Sequence, residues 1–143
     1  MSEAAKPRPE IRNINIFKDV RTYRMPIAAI VSILHRVSGA LIFLLLPVVI
    51  WLFDKSVSSE ISFGQFNAAF SVGVWIIPGW FVKLVALALI WAYLHHLIAG
   101  VRHLYMDATH SVTREFGKSS AIAVLLVSLA LTAALGLKLF GVY

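Results

Sequence analysis

The stretch SILHRVSGALIFLLLPVVIWLF, residues 32–53, decides the fold. From Val37 to Phe53 it carries no charge, and with its front end from Ala28 it is long enough to cross about 30 Å of hydrocarbon as a helix. Two more apolar runs follow. The chain therefore reads as an all-α membrane protein with three transmembrane helices, at about 28–53, 81–106 and 119–142. A hydrophobic share of 59% in 143 residues, with a mean hydropathy of +0.82, excludes a soluble domain of this size. Residues 1–24 form a polar leading segment, and 25–143 form the membrane unit.

The net charge of +6 follows membrane topology rather than a binding stripe. Lys6, Arg8, Arg12, Lys18, Arg21 and Arg24 precede the first span, and Arg102, Arg114 and Lys118 flank the second loop. The first loop, 54–80, carries only Lys55. Excess basic residues mark cytoplasmic loops, so the amino terminus and second loop are expected in the cytoplasm, and the first loop and carboxyl terminus outside. Nucleic acid is not an expected partner, because the charge already has this use. With no cysteine, the chain can form neither a disulfide nor a thiolate-held iron–sulfur cluster, and it has no glycine-rich nucleotide fingerprint. Such chemistry would belong to another subunit. The tail's acidic residues, Glu3, Glu10 and Asp19, match neither a cleavable signal nor a transit peptide, so it is expected to be retained.

The leading segment, with Pro7 and Pro9, is expected to dock on a partner. Pro26 suits the first turn of the first span, and Pro47 should bend that span modestly. In the outer loop, Ser62 followed by Gln65 has the form of a capping box, and Phe63, Phe66 and Phe70 share a face, predicting a short interfacial helix. Trp51, Trp75 and Trp80 read as an aromatic belt.

Two polar strings break the apolar pattern. On a helix, Ser32, His35, Arg36 and Gly39 fall on one stripe. Burying Arg36 costs about 2.5 to 3.5 kcal/mol on insertion scales. The twelve Leu, Ile, Val and Phe residues between Val37 and Phe53 contribute about 0.3 to 0.6 kcal/mol each at central depth, which offsets that cost without explaining the charge. Either Arg36 snorkels to headgroups while His35 bonds to backbone, or the stripe is a donor face for a carbonyl or an anion, such as a quinone oxygen or a haem propionate. Gly39 would let a flat ring or another helix approach.

The second string is HLIAGVRHLYMD, residues 96–107. His96, Gly100, His103 and Asp107 share a stripe, with His95 turned about 100° away. A buried imidazole one turn from a glycine suits an axial ligand of a b-type haem lying flat between helices; a hydrogen-bonded packing histidine is the competing reading. His95, Arg102 and His110 read as interfacial or solvated, and Asp107 as a partner of Arg102 or His103. One deep histidine supplies one axial ligand, so the second would come from another subunit.

These residues resemble a known family. The tail RPEIRNINI, the string YRMPIAAIVSILHRVSGALIF and the ending HHLIAGVRHLYMD together are similar to the cytochrome b membrane subunit of succinate dehydrogenase, respiratory complex II, of bacterial type. The resemblance implies a three-helix anchor in a heteromeric helix bundle. Its partners would be a second hydrophobic anchor subunit that shares one haem b and supplies the other axial ligand, an iron–sulfur subunit and a flavoprotein subunit. It implies a multi-pass protein of the bacterial inner membrane that helps pass electrons from succinate to ubiquinone, with no dicarboxylate chemistry of its own. By motif position, Ser32 and Arg36 would line the quinone site and His96 would be the haem ligand, with His35, Arg36 and His103 near the propionates. Gly39, Gly100 and Asp107 would support them. The rivals are the anchor of a quinol:fumarate reductase and a haem-free structural anchor or transport component.

Overall fold

The computed structural model describes residues 13, 15–19 and 22–142. Most of the leading segment 1–24, including Lys6, Pro7, Arg8, Pro9, Arg12 and Arg21, lies outside the described residues, and so does its expected docking role. Within it, Ile16–Asp19 (α1) makes one helical turn, started by Asn15 Oδ1 accepting from the Phe17 amide at 3.0 Å.

Three long helices follow: α2, Ile27–Val57; α4, Gly79–Thr109; and α5, Arg114–Leu139. Each is long and apolar enough to cross a membrane. Their ends differ from those expected from hydropathy, all but the last lying further out, because capping, not apolar composition, stops a helix. Thr113 accepts from the Phe116 amide at 3.2 Å, so α5 starts at Arg114 rather than 119. It ends at Leu139 rather than 142, where Gly141 turns left-handed at φ 77° and Val142 N–H reaches back to Leu137 O at 2.9 Å. Pro26 stands just before α2 in extended conformation, and α2 runs through Pro47.

The outer loop holds the expected short helix, α3, Glu60–Ser71. Its capping box lies one turn earlier than expected: Ser59 and Ser62 cap each other's backbone, leaving Gln65 in the helix interior. A two-residue hairpin, β1 (Gly73–Val74) against β2 (Ile77–Pro78), then turns the chain into α4. Trp51, Trp75 and Trp80 are all exposed around this end.

α4 packs against both α2 and α5, and those two also touch. The core consists of Val31, Ala99, Ala121 and Val124, joined by Ile27, Ala28, Ile98 and Leu125, at the end of the bundle that holds both polar strings. Small residues dominate because apolar driving force is absent in lipid, so close backbone approach and polar contacts hold the helices. Ser38 and Ser128 are fully buried there, whereas Phe43, Leu44 and Phe53 are largely exposed and face lipid or partner helices.

Candidate functional site

The two polar strings meet where α2 crosses α4, and they interlock reciprocally. The imidazole of each helix lies over the glycine of the other. A Cβ on Gly39 would stand 2.7 Å from His96 Cε1 and 3.1 Å from its Nδ1, and one on Gly100 would stand 3.6 Å from His35 Nε2. The His35 and His96 rings stack with centroids 4.2 Å apart and planes inclined by 18°. His103 lies one side further, its ring 5.1 Å from that of His35. Only Gly39 is required by this packing, since a Cβ on Gly100 would make ordinary contact with the His35 ring.

Hydrogen bonding orients the His96 ring. Its Nδ1 lies 3.0 Å from the His35 carbonyl oxygen, which can only accept, so Nδ1 is the donor of this contact and Nε2 takes no part in it. Ser38 supports the pair: its hydroxyl donates to the same carbonyl at 2.9 Å and sits 3.4 Å from His96 Nδ1. Sequence reasoning missed Ser38, although positions 31, 35 and 38 share a helical face and two of them are polar. His35 Nε2 is buried and has no partner among the described residues. Trp91 Nε1 and His95 Nε2 are buried without a partner as well, so what marks His35 Nε2 as a ligand-facing group is its place beside the stacked His96 ring.

These atoms fit a haem bound through one histidine of this chain. His96 has one nitrogen anchored on a backbone carbonyl and the other outside that bond, and His35 Nε2 has no partner among the described residues. No three His, Asp or Glu side chains among the described residues stand together as a cage for a bare metal ion.

Ser32 is half-buried, and Arg36, one turn further along the same stripe, is exposed, with no hydrogen bond or ion pair among the described residues. Its guanidinium is thus unspent. Asp107 is also exposed and makes none of the expected pairing with Arg102 or His103.

Arg102 turns the other way, which corrects the expectation of an interfacial side chain. It is 9% exposed, and it donates from Nε to Ser120 Oγ at 2.8 Å and from Nη2 to the Gly117 carbonyl at 3.3 Å. This ties α4 to the first turns of α5. His95 is corrected likewise: it is fully buried, 3.5 Å from Ser128 Oγ on α5 and stacked on Trp91 at 5.3 Å. The reason is periodicity: 91, 95, 99 and 102 form the α4 stripe that faces α5. Adjacent histidines therefore sit in different surroundings: His96 stacks on the His35 ring of α2, whereas His95 lies at the centre of the bundle, between Ser128 of α5 and the Val31 backbone of α2. His110 is exposed and left-handed at the end of α4.

The family model described as succinate dehydrogenase/fumarate reductase transmembrane subunit matches residues 6–135. The chain is 31% identical over 124 residues to the succinate dehydrogenase cytochrome b556 subunit of Paracoccus denitrificans, spanning 87% of this chain and 89% of that one. It is 34% identical over 117 residues to the protein of the same name from Coxiella burnetii, spanning 82% and 87%.

Proposed function

Because the chain belongs to the succinate dehydrogenase/fumarate reductase transmembrane subunit family, it is a membrane anchor of complex II, and we propose that it holds a haem b through His96 and helps deliver electrons to ubiquinone. The observation that carries the haem reading is the His96 Nδ1 bond to the His35 carbonyl, which leaves Nε2 free to ligate iron. The cytochrome b556 name of both relatives supports the same cofactor. A bound haem b supplies a reversible one-electron store.

This chain's residues do the rest. Gly39 admits the His96 ring, and Ser38 and the His35 carbonyl keep its proton on Nδ1. His35 and His103, whose rings lie 5.1 Å apart beside His96, would supply hydrogen-bond donors to the haem propionates. Arg36 presents a planar fork of donors to a quinone oxygen, stabilising negative charge as electrons arrive, and the Ser32 hydroxyl one turn away donates to that oxygen. A second anchor subunit completes the haem site, while iron–sulfur and flavoprotein subunits carry succinate oxidation. The basic residues before α2 and around the α4–α5 loop favour an amino terminus in the cytoplasm and a carboxyl terminus in the periplasm of a bacterial inner membrane.

The test is the purified complex: its reduced-minus-oxidised spectrum should show a b-type alpha band, and extraction should release ubiquinone. An assembled complex without that band ends the haem reading, and menaquinone in place of ubiquinone assigns the anchor to fumarate reduction.

Gly39→Ala is a sharper probe of the interlock. A methyl group 2.7 Å from His96 Cε1 cannot be accommodated unless the ring shifts, so haem content should fall or the alpha band should move. Gly100→Ala, at 3.6 Å, makes only ordinary contact and should leave the spectrum unchanged. Equal spectra for the two variants would show that the ring is not held by Gly39.

A further inference from the structure

A second polar group is set into apolar surroundings at the far end of the bundle. Lys55, in the last turns of α2, lines a cavity of about 430 Å³ walled by Trp51 of the same helix, by Gln65, Phe66 and Phe70 of α3, and by Trp75 of the hairpin. Lys55 is half-buried, is the only basic residue of the 54–80 loop, and has no ion pair or hydrogen bond among the described residues. The neighbouring Asp54 carboxylate does not neutralise it and accepts instead from Ser58 Oγ at 2.9 Å.

Position narrows what this cation can meet. Lys55 lies nineteen residues beyond Arg36 on one continuous helix, which at 1.5 Å per residue is about 28 Å. Lys55 also follows by two residues the uncharged run that ends at Phe53, so it stands at headgroup level at the end of the span far from the Arg36 stripe. An unpaired cation with aromatic walls at that depth is complementary to a phosphate joined to acyl chains.

We propose that this cavity binds the headgroup of an anionic phospholipid, with its phosphate on Lys55 Nζ, its polar head beside the Gln65 amide, and its chains along the exposed apolar side chains of α2. Trp51 and Phe66 wall the glycerol region, and α3 closes over it. The site is independent of the haem and quinone reading, since none of its residues contributes to that pocket.

The experiment is native mass spectrometry of the intact complex after exposure to equal amounts of phosphatidylglycerol and phosphatidylcholine. The complex should retain phosphatidylglycerol preferentially. One lysine–phosphate contact is worth on the order of fivefold, so Lys55→Gln should lower that retention by about this factor, while Lys55→Arg keeps it. An unchanged spectrum of the complex reports that each variant is assembled. A photo-crosslinking amino acid at position 65 should label phospholipid. Retention that does not distinguish the two lipids, retention unchanged in Lys55→Gln, displacement by inorganic phosphate at the same concentration, or a crosslink to another protein subunit overturns the proposal.

Discussion

Arg36→Ala is expected to abolish quinone reduction by the complex while leaving succinate oxidation by a soluble dye intact. The guanidinium is exposed and unpaired among the described residues, so its donors are not consumed in holding the fold. Its removal should therefore act on the bound quinone and not on assembly. Loss of a preorganised donor to a developing negative charge lowers turnover by about 10² to 10³-fold in other enzymes, and a fully charged donor belongs at the upper end. Dye reduction draws electrons upstream of this chain, which has no cysteine for a cluster and no nucleotide fingerprint, so that assay should be unchanged. Arg36→Lys, which keeps charge but loses the planar fork, should fall between the two. The measurement is steady-state quinone reductase activity against dye activity on the same preparation. Normal quinone turnover in Arg36→Ala would remove this residue from the mechanism.

His96→Leu is expected to lose the b-type alpha band, because leucine offers iron no ligand and leaves the His35 carbonyl without its imidazole donor. His95→Leu should keep the band. The His95 ring is fully buried at the centre of the bundle, stacked on Trp91 and 3.5 Å from Ser128 Oγ, so its replacement tests packing and not ligation. It should lower the midpoint of thermal unfolding through the lost polar contact, worth about 1 kcal/mol. Haem content per complex, read from the optical spectrum beside the melting curve, separates the two outcomes. Loss of haem in His95→Leu with retention in His96→Leu would reassign the ligand.

The contrast between these neighbours shows how far the sequence reaches. Spacing alone places His96, Gly100 and His103 on one stripe and His95 on another, and both assignments are visible in the structure. Spacing does not say which stripe faces α2 and which faces α5. His95 and Arg102 thus read as interfacial or solvated residues, although both are buried and reach serines of α5. The same limit applies to Gly100, whose partner proved to be His35 across the helix interface. In the outer loop, α3 was legible from its aromatic period, but its cap was misplaced by one turn. A serine at the third position of the box is a weaker signal than the glutamine that follows Ser62.

The sequence by itself determined the three spans, the short outer helix and the two polar stripes. Hydropathy and helical period are local properties, and a bilayer allows an apolar segment of that length little besides a helix. The tertiary structure alone decided the rotation of each helix about its axis. That rotation seated His96 over Gly39, brought its Nδ1 to the His35 carbonyl, and turned Arg102 toward α5. It depends on how small and polar side chains from distant parts of the chain let the backbones approach, and no single segment carries that information.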